Sequence, residues 1–143
     1  MAVFYKLSKN NNQKSTQFGK YSGRAVVIET KGIAELAEHM ASHSTPYSKG
    51  TIQGVITDMV ACIRELALSG IATKLDNLAI FSLGIETSHA SAGEFTVKDN
   101  VKRYKLRARA TGDFTSSELK GAVSLSEWAE YTGDTEETEE SGE

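Results

Sequence analysis

The residues best suited to chemistry lie in one run, VKRYKLRARA, at positions 101–110. Successive side chains of a strand point to opposite faces, so Tyr104, Leu106 and Ala108 share one face and four cations share the other. Those cations are Arg103, Lys105, Arg107 and Arg109. Like charges at this spacing repel unless an anion neutralises them, and the planar fork of arginine suits phosphate. The run therefore predicts a strand that contacts the phosphates of a nucleic acid.

A second interpretation of the same run is a charged edge strand that prevents aggregation. Edge strands of that kind usually carry isolated lysines, whereas three of the four cations here are arginines. The arginines favour phosphate contact. A strand that faces a neighbouring subunit, or that pairs with acids, would instead favour a protein-interaction module.

The other candidate groups do not predict catalysis. His39 and His43 are four residues apart and could share a metal ion, but there is no third ligand and no HExxH motif, which favours an exposed helix end. Cys62 falls in a wide apolar stripe, so we expect it to be buried. The sequence has no phosphate loop and no nucleophile paired with a base. We therefore expect no enzyme activity, cofactor, metal or small-molecule substrate.

Length and composition indicate one soluble domain. The chain has 143 residues, of which 39% are hydrophobic and 24% charged. No apolar run approaches the roughly 18 residues of a membrane span, and the first residues do not resemble a secretory signal. The single cysteine cannot form an internal disulfide, which fits a reducing compartment. These features predict a cytoplasmic protein.

Charge is distributed unevenly along the chain, although the net charge is only −3. Residues 134–143 hold six acids and no base, so the remaining 13 acids face 16 bases and the body is +3. The segment from Met1 to Ile28 carries five bases and no acid. A basic body with an acidic tail predicts an anionic partner, with the tail as its competitor or as a solubilising segment.

The N-terminal half predicts a hairpin and two helices. Residues 3–7 and 24–28 are expected to be strands joined by a long mobile loop. Gly32 opens a helix whose apolar residues recur at helical spacing up to Ala41. Ser48 caps a longer second helix, which ends before Gly70.

The C-terminal half predicts an antiparallel meander. Residues 73–85, 95–97 and 101–110 have strand character, with the turn SHASAG at 88–93. A helix from Glu118 to about Tyr131 follows, anchored by Trp128. The fold class is α+β. We expect one domain at 1–131, which includes an N-terminal β extension at 1–30, and an acidic disordered tail at 132–143.

In their order and spacing these pieces resemble the HU/IHF family of nucleoid-associated DNA-binding proteins. They resemble most closely the divergent HU-like branch of Bacteroidetes bacteria, the HU-HIG type domain. The matching segments are YKL, RAVVIETKGIAELAEHMASHST, YSKGTIQGVITDMVACIRELALSG, ATKLDNLAIFSL, FTVKDNVKRYKLRARA and SELKGAV. The resemblance implies an HU-like fold with two helices, a meander with a short arm, a short C-terminal helix and an added N-terminal hairpin.

The resemblance also implies a function and a set of contacts. It implies a histone-like architectural protein of the nucleoid, which binds double-stranded DNA with low sequence specificity. The implied DNA-binding residues are Lys74, Lys102, Arg103, Lys105, Arg107, Arg109 and Lys120. HU-like folds are intertwined homodimers, and the wide apolar stripe of the second helix agrees with that state.

Two departures from the HU pattern stand out. Asn77, Leu78 and Ala79 replace the GFG-F turn that precedes the family's phenylalanine. The arm tip, SHASAG, has no proline, so the wedge by which HU proteins kink DNA cannot be carried over. The short arm and the acidic tail favour an alternative, an HU-fold interaction or structural module that has lost strong DNA binding.

Overall fold

The structure is a computed structural model that describes residues 2–129 of the mixed α/β chain. Its strands are β1 (Ala2–Lys9), β2 (Tyr21–Ala25), β3 (Thr73–Leu75), β4 (Ala79–Thr87), β5 (Val101–Ala110) and β6 (Ser124–Glu127). Its helices are α1 (Ile33–Ala41), α2 (Lys49–Leu68), α3 (Val97–Asn100) and α4 (Ser116–Ala122), with a 3-10 turn at Gly112–Phe114. The chain forms two compact units, one from the N-terminal segment up to Thr30 together with the chain from Ala122 onward, the other from Lys31–Gly121.

The first unit is a three-stranded sheet in the order β2-β1-β6. The predicted hairpin is confirmed, because β1 and β2 pair antiparallel from Tyr5 opposite Ala25 to Lys9 opposite Tyr21. The second strand begins earlier than predicted, at Tyr21 instead of Arg24, and it also ends earlier, at Ala25 instead of Ile28. The Asn10 amide donates to the Lys20 carbonyl oxygen at 2.9 Å, so the loop closes there and pairing starts at the next residue.

The predicted helix from Glu118 to about Tyr131 is wrong between Ala122 and residue 129, and its last two residues lie outside the described part of the chain. The chain there becomes β6, which runs parallel to β1. The backbone N–H of Trp128 donates to the Tyr5 carbonyl oxygen at 2.9 Å, and its ring meets Phe4 edge to face at 5.0 Å. Trp128 therefore anchors a strand, since pairing with a distant edge outweighs local helical preference.

The second unit begins with the two predicted helices, and their ends are confirmed. The Ser48 hydroxyl accepts from the Thr51 amide at 3.2 Å, which caps α2. At the other end Gly70 takes a φ of +77°, and the Ile71 amide donates to the Leu66 carbonyl oxygen at 2.9 Å. This left-handed glycine closes α2 in a Schellman motif.

A three-stranded antiparallel sheet, β3-β4-β5, completes the second unit. The segment predicted as one strand at 73–85 is two strands, because Asn77 turns the chain with a φ of +60°. The strand predicted at 95–97 is also wrong: the Thr96 hydroxyl accepts from the Asp99 amide and caps the short helix α3. Both corrections come from local turn and cap chemistry.

The core of a single chain is thin. Within residues 2–129 the buried apolar side chains are Ala37, Ile52, Ala67 and Ala79, and no large side chain is fully buried. Helix α2 packs against α1, β3 and β4. Beside its buried residues it leaves Val55, Met59 and Leu66 exposed. No helix in the described part of the chain is both long enough and apolar enough to cross a membrane.

Candidate nucleic-acid interface

The four cations of β5 share one face of the sheet, as the alternation predicts. We call Arg103, Lys105, Arg107 and Arg109 the β5 stripe; all four are exposed. Opposite them on β4 stand Glu86, Gly84, Ser82 and Ile80, in that order. The other face carries the apolar partners of the two strands. The ladder thus separates a cationic face from an apolar one along its whole length.

One end of the β5 stripe is partly neutralised by an acid of β4. The Glu86 carboxylate lies 3.1 Å from the Arg103 guanidinium and 3.7 Å from the Lys105 ammonium. All three side chains are 45% or more exposed, so water and salt screen the pairs and each is weak. Two cations and one carboxylate still leave this end with a single net positive charge.

The other end of the β5 stripe keeps its full charge. Within residues 2–129 neither Arg107 nor Arg109 lies within ion-pair distance of a carboxylate. The two arginines line an open cleft of about 440 Å³, the arginine cleft, together with Ile80 and Ser82. Two guanidinium groups and a hydroxyl beside one cleft can donate several hydrogen bonds to a single anion.

The remaining candidate lysines are placed differently. Lys74 stands opposite Ile80, which in turn stands opposite Arg109, so the sheet brings Lys74 into the row of the stripe; its ammonium is 3.6 Å from Asp76. Lys102 lies beside α3 and donates to the Asp99 carbonyl oxygen at 3.2 Å. Lys120 is exposed in the last turn of α4, and no described contact joins it to the stripe.

Sequence reasoning missed Asn100, which closes the base of the arm. It is only 8% exposed. Its side-chain oxygen accepts from the Thr96 amide at 2.9 Å, its side-chain nitrogen donates to the Ser88 hydroxyl at 3.2 Å, and its carbonyl accepts from the Ser88 amide at 2.8 Å. These bonds fix the point where β5 begins. The sequence signal that could have indicated Asn100 is its position, since it is a polar residue directly before a strand.

The other sequence candidates do not join the stripe. His39, on α1, and His43, two residues beyond its end, are both exposed, with their Nε2 atoms 3.1 Å apart. In the part of the chain that the structure describes, no three metal-ligating side chains form a group. Cys62 is exposed, which contradicts its predicted burial. Among residues 2–129, no element covers Cys62 on α2.

Comparison with known proteins identifies the family. A family model described as "HU domain fused to wHTH, Ig, or Glycine-rich motif", named HU-HIG, matches residues 1–126. The chain belongs to the HU-HIG family. The resemblance drawn from the sequence is therefore confirmed.

A solved structure agrees with this assignment at the level of fold. The HU-HIG chain is similar to the crystal structure of a "Putative bacterial DNA binding protein" from Bacteroides vulgatus ATCC 8482, with a TM-score of 0.59 and 11% sequence identity. The similarity covers 88% of this chain and 49% of that one, so this chain spans about half of its neighbour's length. No curated protein matches the sequence.

Proposed function

We propose that this HU-HIG chain is an architectural protein of the bacterial nucleoid that binds double-stranded DNA through backbone phosphates with low sequence specificity. The observation that carries the proposal is the arginine cleft, where Arg107 and Arg109 meet without a carboxylate from the described chain. Membership of the HU-HIG family and the fold of the Bacteroides neighbour support it. The proposal includes no catalysis and no cofactor.

Phosphate binding follows from the geometry of β5. Each guanidinium offers a planar fork of donors that fits two phosphate oxygens. Arg107 and Arg109 are two residues apart on an extended strand, about 6.6 Å, which is close to the spacing of successive phosphates along one strand of DNA. Binding releases condensed counterions and therefore weakens as salt rises. Contacts to phosphates position the protein and carry no direct sequence information.

The test compares two double variants of the same strand. Arg107→Gln with Arg109→Gln removes two charges that lack a described carboxylate. Arg103→Gln with Lys105→Gln is the matched control, since it also removes two charges but from the end that Glu86 neutralises. Fluorescence anisotropy with a mixed-sequence duplex across a salt series measures both. The first variant should make the slope of log K against log salt shallower by about 2 to 4 per dimer, the control by clearly less.

The outcomes separate DNA binding from the alternative function. If both folded variants keep the parental slope, the β5 stripe does not contact DNA and the DNA-binding proposal fails. The contacts of Glu86 with two stripe cations are what favour the alternative, an interaction module in which β5 meets an acidic protein surface. An unchanged slope in both variants would move the assignment to that module.

We also propose that the chain works as an HU-like homodimer. On α2 the exposed Val55, Met59 and Leu66 recur at i, i+4 and i+11, which forms a second apolar stripe beside the buried one. On the sheet face opposite the cations, Leu83, Ile85, Tyr104 and Leu106 are exposed. A second copy can cover both patches with the same residues, as two-fold symmetry requires.

The dimer is tested by mass and by cysteine chemistry. Light scattering at micromolar concentration should give twice the chain mass of 15.5 kDa. The variant Met59→Lys should shift the protein to monomer, because it buries a charge in the interface. Cys62 should react with Ellman's reagent faster in that variant than in the parent. A parent of monomer mass, or equal thiol reactivity in both, contradicts the dimer.

A further inference from the structure

The hairpin of the first unit, β1 and β2, carries a cationic face that is separate from the β5 stripe. Lys6 stands directly opposite Arg24, and Ser8 stands opposite Ser22. Opposed residues in a ladder project from the same face, with Cβ atoms about 4.5–5.5 Å apart. Two cations placed directly opposite each other destabilise a sheet unless an anion lies between them. The hairpin therefore presents two hydroxyls and two cations on one surface.

The loop at the end of this hairpin is folded into successive turns. Backbone bonds of 2.9 Å join the Asn10 amide to the Lys20 carbonyl oxygen and the Gly19 amide to the Asn10 carbonyl oxygen. The Asn10 side chain accepts from the Asn12 amide and donates to the Ser15 hydroxyl. The loop expected to be mobile is thus tied together by its own polar groups. A ligand that binds here does not have to order the loop first.

A cleft of about 610 Å³ lies where this loop meets the two strands, and we call it the hairpin cleft. Its lining includes the Lys20 ammonium, the Arg24 guanidinium and the hydroxyls of Ser8 and Ser22. Of the nine residues that line it, none is acidic. The lining therefore offers hydrogen-bond donors of two kinds, charged and neutral, and contributes no carboxylate of its own.

The acid of β6 does not lie on this cationic face. The segment from Met1 to Ile28 contains no Asp or Glu. Glu127 of β6 is opposite Tyr5, so it projects from the face away from Lys6. In residues 2–129 neither Lys20 nor Arg24 has an ion-pair partner. The charges of Lys20 and Arg24 are therefore available to a ligand.

We propose that the hairpin cleft is a second phosphate-binding site, separate from β5, that takes a backbone phosphate of the same nucleic acid. The identity of the polyanion rests on the proposed function; the phosphate chemistry rests on the cleft alone. The Arg24 fork and the Lys20 ammonium bind the phosphate oxygens, and the serine hydroxyls donate to the same group. The N-terminal extension then adds contacts to DNA from a different unit of the chain.

The experiment uses the full chain and two lysines of one loop. Lys20→Gln removes a cation that lines the cleft; Lys14→Gln, the matched control, removes an exposed lysine of the same loop that does not. At about 0.1 M salt, Lys20→Gln should weaken binding to mixed-sequence duplex clearly more than Lys14→Gln, whose loss should stay below about twofold, and adding Arg24→Gln to Lys20→Gln should bring the loss to about tenfold. In NMR spectra of the parent, amides of residues 8–24 should shift on adding duplex.

Each outcome bears on the cleft and can be told apart from failure of the β5 stripe. If Arg107→Gln with Arg109→Gln weakens binding while the cleft variant does not, the cleft proposal is overturned and the proposed function stands. If neither variant changes binding, both are overturned. If the cleft amides shift with inorganic phosphate or a nucleotide but not with duplex, the ligand is a small phosphate compound and the nucleic-acid assignment is wrong. If Lys20→Gln and Lys14→Gln lose the same amount of binding, the loss reflects the overall charge of the loop, and the cleft is not a specific site.

Discussion

Arg107 has space to lie across the sheet because residue 84 has no side chain. A Cβ atom built on Gly84 would fall 2.7 Å from Cδ and 2.9 Å from Cγ of Arg107, so the arginine stem occupies that space. Gly84→Ala should displace the guanidinium from the arginine cleft and weaken DNA binding. Stability should change little, since alanine's gain of roughly 0.5–1 kcal/mol offsets the displaced contacts. Anisotropy and thermal unfolding measure the two effects.

The control for this variant is Gly93→Ala at the arm tip. A Cβ there meets no atom within 4 Å, so the same chemical change displaces nothing. We expect parental DNA affinity from Gly93→Ala. If Gly84→Ala also binds as tightly as the parent, then the position of Arg107 does not matter to the interface and the arginine cleft loses its role.

At the scale of single residues, the sequence predicted which cations of β5 share a face. It did not predict which carboxylate neutralises them. The alternation of residues 101–110 was sufficient to place the β5 stripe. The contact with Glu86 depends on the register of β4 against β5, including the shift between Glu86 and Thr87, and no local pattern encodes that register. Asn100 was missed partly for the same reason, because its partner Ser88 lies twelve residues away and becomes a neighbour only when the arm closes.

At the scale of elements, the sequence predicted correctly those boundaries whose backbone hydrogen bonds are made by residues within one turn. The ends of α2 depend on Ser48 and Gly70, which act within one turn, and both were predicted. Strand β6 depends on β1, which lies at the opposite end of the chain, and was mistaken for a helix. Its sequence, SLSE, is short and carries no strong β signal by itself.

The pairing of β6 with β1 is tested through its aromatic contact. Phe4→Ala removes the edge-to-face partner of Trp128 and should lower the stability of the first sheet by about 0.5–1.5 kcal/mol beyond the lost apolar area. Trp128 is the single tryptophan, so its fluorescence reports this unit, while circular dichroism at 222 nm reports mainly α2. The fluorescence transition should move to lower denaturant and the helical transition should not.

Phe18→Ala is the control for that experiment, because Phe18 is 51% exposed in the loop of the same unit. It should leave both transitions near their parental midpoints. A Phe4→Ala protein whose two transitions shift together would mean that the sheet and the helices unfold as one cooperative body.

At the scale of the whole molecule, the sequence predicted where positive charge is concentrated, but it did not predict the division of the chain into two units. The absence of acids between Met1 and Ile28 predicted a basic N-terminal segment, and the structure places those cations in a unit of their own with β6. Nothing local indicates that residues beyond Ala122 return to the N-terminal strands. The exposed side of α2 was anticipated from the width of its stripe, since one chain has too little surface to cover it.

The acidic segment 134–143 lies outside the described residues, and its expected effect is electrostatic. It brings six negative charges to a body of +3. Deleting it should strengthen DNA binding at low salt, and the gain should shrink as the Debye length falls from about 10 Å at 0.1 M to about 3 Å at 1 M. A chain with the six acids replaced by Gln and Asn, measured by anisotropy, controls for length. Deletion without tighter binding at low salt would show that the tail does not compete with phosphate.

The direction of β6 predicts that the acidic segment competes with phosphate mainly at the hairpin cleft. Glu127 stands opposite Tyr5, and β6 runs parallel to β1, toward the end of β1 where the hairpin cleft lies. The seven residues to position 134 span at most about 25 Å when extended, against about 13 Å along β1 from Tyr5 to Lys9. Tail deletion should therefore strengthen DNA binding less in the Lys20→Gln, Arg24→Gln background than in the parent, and this coupling is read from a double-mutant cycle. Equal gains in both backgrounds would place the tail's competition elsewhere, at the β5 stripe.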